Sequence, residues 1–224
     1  MLRTVLLVCT ALVPALVLAQ AGSSLTPRVQ IDTSQGSFVV ELDTVRAPLS
    51  AENFLRYVRD GYYDGTLFHR VIAGFVVQGG GFSTDLTPRQ PRAPIPNESG
   101  NGLSNRRGTL GLARTESPHS GAAQFYVNLA DNAGLDPLPS RWGFAVFGRV
   151  VSGMETVDRI AYLPTASLPA IGPDVPLQPV LLQRAFVLDA ATPVPAEQPP
   201  AVEPPVPPAA EGASEPPPET DGRP

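Results

Sequence analysis

Through the middle of the chain, apolar and polar residues alternate with a period near two, in short runs rich in Val, Ile, Phe and Tyr, the signature of half-buried strands. Residues 29–31 and 36–42 flank the turn-like Asp32-Thr33-Ser34-Gln35 and read as a hairpin. Similar runs follow at 66–72, 75–78, 109–113, 124–128, 143–150 and 180–188, joined by Gly, Pro and Asn. Two segments break this rhythm. Residues 48–60 carry Phe54 and Val58 on one helical face, with Ser50 as the expected cap and Gly61 in the stop position. Ser152-Gly153-Met154-Glu155 has capping-box spacing ahead of Val157 and Ile160. Eight strands with one early and one late helix predict an all-β fold, a closed eight-stranded antiparallel barrel capped by two short α-helices. Closure removes the strand edges that would otherwise invite pairing with other chains.

The pattern is confined to residues 28–190, about the length of one well-buried domain. Residues 1–21 read as a signal peptide: Met1-Leu2-Arg3, an apolar run to Ala19, and a small-residue site with cleavage expected after Ala21 or Ala19. The apolar run falls short of the ~20 residues that a spanning helix needs, so no stable membrane insertion is expected. The expectation is an exported, periplasmic protein with a short linker at 22–27 and a proline- and glutamate-rich disordered tail at 191–224. That tail reads as a semi-rigid spacer, a ligand for a proline-binding module or an envelope tether, and its partner is unknown.

Composition narrows the chemistry. Cys9 is the sole cysteine and falls inside the leader, so the mature chain has no thiol for disulfides, catalysis or metal binding. All 16 basic residues are arginines, which excludes Schiff-base chemistry and a lysine-bearing phosphate loop. Six acidic residues in the tail against Arg223 carry most of the net charge of −5, and no basic patch points to nucleic acid. His69 and His119 lie far apart without ligand spacing, and no G-x-S-x-G elbow exists, which excludes a metal site and a serine hydrolase. Gly79-Gly80-Gly81 reads as a turn or bulge.

The most informative stretch is residues 68–80, FHRVIAGFVVQGG, where Arg70 and Gln78 stand eight positions apart among apolar residues. An arginine there is an unpaired charge if it faces the core and a fixed donor if it faces an apolar pocket. This segment closely resembles the signature of the cyclophilin family of peptidyl-prolyl isomerases, and Gln124-Phe125-Tyr126 resembles that family's second motif. The resemblance implies an eight-stranded barrel with two capping helices and an activity that needs no metal or cofactor. It implies Arg70, Gln78 and Phe75 as catalytic residues, with Val76, Ala113, Arg114, Gln124, Tyr126, Leu135 and Phe144 binding a proline-containing polypeptide, and a monomer. The alternative from another class is a proline-peptide-binding chaperone or an envelope-tethered interaction module with weak isomerase activity. Three positions depart from the family pattern. Gly134 precedes Leu135-Asp136 where members usually carry Trp or Phe, Phe144 stands where many have His, and Val76 replaces the common Met. An apolar pocket tolerates the last two, whereas Gly134 is expected to leave a hole at the rim unless Trp142 covers it.

Overall fold

A computed structural model describes residues 26–189; the expected leader, most of the linker and the tail lie outside the described residues. Strands β1 (Arg28–Thr33) and β2 (Gly36–Leu42) form the expected hairpin, in register from Arg28 opposite Glu41 to Thr33 opposite Gly36. Thr33 ties the turn, accepting from the Gln35 N–H and donating to the Gly36 carbonyl. The remaining barrel strands are β3 (Thr66–Ile72), β4 (Val76–Ser83), β5 (Thr109–Leu112), β6 (Phe125–Asn128), β7 (Val146–Ser152) and β10 (Val180–Leu188). They close in the order β1-β10-β3-β4-β6-β5-β7-β2, every pairing antiparallel. The eight-stranded barrel is as expected. The hairpin β8 (Thr165–Leu168) and β9 (Gly172–Pro176) stands outside it and carries no clear alternation in the sequence.

The interior is filled by rings. Phe54 from α1 (Pro48–Arg59) packs against Tyr63, Phe125 and Phe147 at centroid distances of 5.2, 5.3 and 5.4 Å, and Phe68 lies 6.0 Å from Phe125. Tilted and edge-on contacts of this kind add to the area each ring removes from water. Helix α1 also buries Ala51, Leu55 and Val58, and α2 (Met154–Ala161) buries Val157 and Ile160.

Helix α1 starts at Pro48 as expected, but the caps of both helices differ from expectation. Ser50 lies inside α1, buried, with its hydroxyl unpartnered. The acceptor for the first turn is the carboxylate of Glu98, which takes the N–H groups of Leu49 at 3.0 Å and Ser50 at 2.7 Å. A charge placed there also favours the helix dipole. At α2 the cap position is Gly153, left-handed at φ 81, and not Ser152, which ends β7; a Cβ at Gly153 would run into the backbone at Ser37 and Phe38. Several strand boundaries also move, among them the starts of β4 and β7. Phe75 belongs to the β3–β4 turn, and residues 143–145 are an irregular segment before β7. Gly79-Gly80-Gly81 lies within β4, and the register of β3 against β4 slips on both sides of Phe68, so the expected bulge exists but the turn does not.

Candidate active site

The candidate residues are brought together by cross-strand register. Arg70 on β3 stands opposite Gln78 on β4, Gln78 opposite Tyr126 on β6, and Tyr126 opposite Gly111 on β5. Four adjacent strands thus contribute one lateral row to the barrel's outer surface. Glycine is required at its end, because a Cβ at Gly111 would fall within the Tyr126 ring. A Cβ at Gly81 would likewise collide with the Gln124 side chain.

A polar chain runs along this row. Arg70 Nη1 donates to Gln78 Oε1 at 3.4 Å, and Gln78 Nε2 donates to Gln124 Oε1 at 2.8 Å. Arg70 is neither buried nor unpaired: its side chain is 38% exposed, and Nε lies 3.9 Å from Asp174 Oδ2 on β9. Asp174 adopts the left-handed region at φ 64, unusual for a residue other than glycine. Behind the chain, His69 is buried against Phe82 at 4.7 Å, and its Nδ1 lacks a partner of good hydrogen-bond geometry. Burial depresses its pKa to about 4, against the opposing influence of the Leu67 backbone and the Gln124 side chain. His69 is therefore neutral and structural at neutral pH.

Beside this chain lies an apolar wall. Tyr126 meets Phe144 edge-on at 6.1 Å, and Phe144 N–H donates to the Leu135 carbonyl at 2.9 Å. Val76 opens β4 opposite Asn128, and the Phe75 carbonyl accepts from Leu129 N–H at 2.8 Å and Asn132 Nδ2 at 2.9 Å. Ala113 N–H donates to the Gln124 carbonyl at 2.9 Å. The Arg114 guanidinium covers the Phe144 ring at 4.4 Å and donates to the carbonyls of Gly143, Trp142 and Thr115. Arg114 thus contributes a fixed side chain that clamps the pocket wall.

A second polar network, absent from the sequence-based expectation, supports that wall from below. Buried Asn105 accepts from Tyr126 Oη at 2.7 Å and from Asn128, and donates to Asp136 at 2.9 Å and the Phe144 carbonyl at 3.3 Å. Ser104 Oγ and Asn105 N–H also donate to Asp136, and Asn132 Nδ2 links Asn128 to the Phe75 carbonyl. Burial raises the Asp136 pKa, but these hydrogen bonds outweigh it and hold the carboxyl below its usual range. The Tyr126 phenol is pushed up, chiefly by burial, so it stays protonated and can donate. The only hints in the sequence were Asn128 closing an apolar strand run and Asp136 following Leu135.

At the rim, Gly134 sits in the 3₁₀ turn Ala133–Leu135, and a Cβ there would meet nothing within 4 Å. Trp142 is turned onto His119 at 5.1 Å and is 46% exposed. Among the described residues, no cluster of His, Cys, Asp and Glu could hold a metal ion, and no helix is long and apolar enough to cross a membrane.

Comparisons with known proteins agree with this geometry. Residues 28–187 match the family model described as cyclophilin type peptidyl-prolyl cis-trans isomerase/CLD. A peptidyl-prolyl cis-trans isomerase of Streptomyces antibioticus is 49% identical over 71% of this chain and 98% of its own length. Peptidyl-prolyl cis-trans isomerase B of Escherichia coli is 42% identical, with coverage of 71% and 98%. Among solved structures, a Cryptosporidium parvum cyclophilin type isomerase determined in the presence of the dipeptide Ala-Pro is 26% identical, covers 72% of this chain and 99% of that one, and superimposes with a TM-score of 0.56. A shared barrel, a family match across its whole length and the motif residues gathered into one row lead to one conclusion: the chain belongs to the cyclophilin-type peptidyl-prolyl cis-trans isomerase family.

Proposed function

We propose that this protein is a peptidyl-prolyl cis–trans isomerase acting on exported polypeptides. The observation that carries the reading is the continuous donor chain Arg70–Gln78–Gln124 beside an apolar wall of Tyr126, Phe144 and Val76. Rotation about an X–Pro bond faces a barrier of about 18–20 kcal/mol because amide resonance is lost as the bond twists. The twisted state differs from the planar one in its prolyl nitrogen, whose lone pair becomes free to accept a hydrogen bond. A donor there stabilises the transition state more than the ground state, and each ~1.4 kcal/mol so gained is worth tenfold in rate.

Arg70 is the donor in this mechanism. A guanidinium stays charged at any working pH. Its Nε side is held near Asp174 and one Nη near Gln78, so its orientation is set before substrate arrives. Phe75, Val76, Tyr126, Leu135 and Phe144 receive the proline ring and exclude water, while Gln124 and the Ala113 segment hold the chain extended. No covalent bond changes, so no nucleophile is required. The leader-like residues 1–21 support the exported, periplasmic setting. Arg70→Ala is expected to lower kcat/KM on an Ala-Pro peptide by at least ~100-fold in a protease-coupled or NMR exchange assay, the loss of a charged transition-state donor. A variant that folds normally and isomerises at the wild-type rate would remove Arg70 from the mechanism and favour a peptide-binding module.

A further inference from the structure

Beside the proline pocket lies a groove of about 320 Å³, lined by Gln78, Gly81, Phe82, Ala123 and Gln124 among others. Its charges are one-sided. Arg89 and Arg114 line it, and no Asp or Glu does. Among the described residues, neither arginine has a carboxylate within ion-pair distance, whereas Arg70 has Asp174 and the nearby Arg92 has Asp60. Both free cations are nevertheless fixed. Arg89 donates to the Tyr62 carbonyl and lies 5.8 Å from the centre of the Tyr62 ring. Arg114 is held by four main-chain carbonyls, those of Gly143, Trp142, Thr115 and Glu116, and by the Phe144 ring. Carbonyl oxygens orient a guanidinium without cancelling its charge, and a guanidinium already held in place loses little rotamer freedom on meeting a carboxylate.

We propose that this groove selects substrates, so that the preferred proline peptides carry an acidic side chain close to the X–Pro bond. The inference rests on the isomerase reading and adds to it a substrate class. Successive residues of an extended chain advance about 3.3 Å, so a Glu one to three residues from the proline reaches the Gln124 side of the site and the two guanidinium groups beyond it. A Lys at that position meets two uncompensated positive charges. The contribution is electrostatic and partly exposed to solvent, so it must weaken with salt: screening lengths fall from about 10 Å at 0.1 M to about 3 Å at 1 M.

The test is a set of short peptides around one Ala-Pro bond, with Glu, Ala or Lys placed in turn at each of the three positions on either side. At low ionic strength, kcat/KM for the Glu peptide should exceed that for the Lys peptide by at least fivefold at one or more positions. Above about 0.5 M salt the ratio should fall below twofold. Arg89→Glu should invert the preference, and the Glu-to-Lys ratio remains interpretable even if that variant is slower overall. Peptide titrations followed by NMR at the Gly81 and Ala123 amides read the same preference without turnover, which separates a failure of this proposal from a failure of the isomerase reading. Equal constants for Glu and Lys peptides at every position, or a preference that Arg89→Glu leaves unchanged, would overturn it.

Discussion

Gly134→Trp should convert a pocket with an open rim into one that grips a bulky apolar macrocycle. The backbone accepts the change: Gly134 has no left-handed φ, is exposed, and offers a Cβ free space to 4 Å. The rim is otherwise rigid, because Arg141 donates to the Gly134 carbonyl at 2.9 Å and Leu135 is tied to Phe144. Trp142 is committed to His119 and does not occupy the gap left by the missing side chain. An aromatic side chain buries about 150–250 Å² in all, and half of that at ~25 cal/mol/Å² gives roughly 2–3 kcal/mol. Ordering the new side chain takes back about 0.5–1.5 kcal/mol. The remainder, centred on about 1.5 kcal/mol, corresponds to roughly 10-fold in affinity. Inhibition constants for a cyclosporin-type inhibitor, measured on wild type and Gly134→Trp with a small Ala-Pro peptide, decide the matter. Wild type should be inhibited weakly, the variant roughly 10-fold more tightly, and turnover of the small peptide should change little. Tight inhibition of wild type, or no gain in the variant, refutes the reasoning.

Three further outcomes follow from the packing and hydrogen bonds. Glu98→Ala removes the acceptor for two α1 N–H groups and should cost about 1–2 kcal/mol, a fall in Tm of several degrees, with peptide turnover retained. Asn105→Ala leaves the Tyr126 hydroxyl and the Asp136 carboxylate short of buried partners; a loss of about 1–3 kcal/mol and a raised KM are expected, and an unchanged KM would show that the wall stands without this support. Folding depresses the His69 pKa from the usual 6.5 to about 4, so the unfolded chain takes up this proton first as pH falls. The resulting stabilisation, up to roughly 3 kcal/mol, is fully present above about pH 6.5 and is lost on acidification toward pH 4. His69→Gln should flatten the decline of Tm between those values, and an equally steep decline would place the titrating group elsewhere.

The sequence by itself determined the barrel. Period-two alternation, turn residues between runs and two amphipathic stretches with period 3.6 are local properties, and a strand or helix buries the face they define wherever it sits. It also singled out Arg70, Gln78 and Gln124, polar residues in or beside apolar strand runs, which the fold joins in one hydrogen-bonded chain. What it could not supply were contacts between residues far apart in the chain. The Ser50 and Ser152 cap assignments followed local spacing; in the fold, Glu98 reaches α1 from 48 residues away, and Gly153 takes the cap of α2 because the β2 backbone leaves no room for a side chain. The Asn105–Asp136 network and the Arg70–Asp174 pair join segments that become neighbours only when β3, β6 and β9 are brought together. The uncompensated charge of Arg89 and Arg114 is of the same kind, because counting arginines gives their number but only the tertiary structure decides which of them meet a carboxylate.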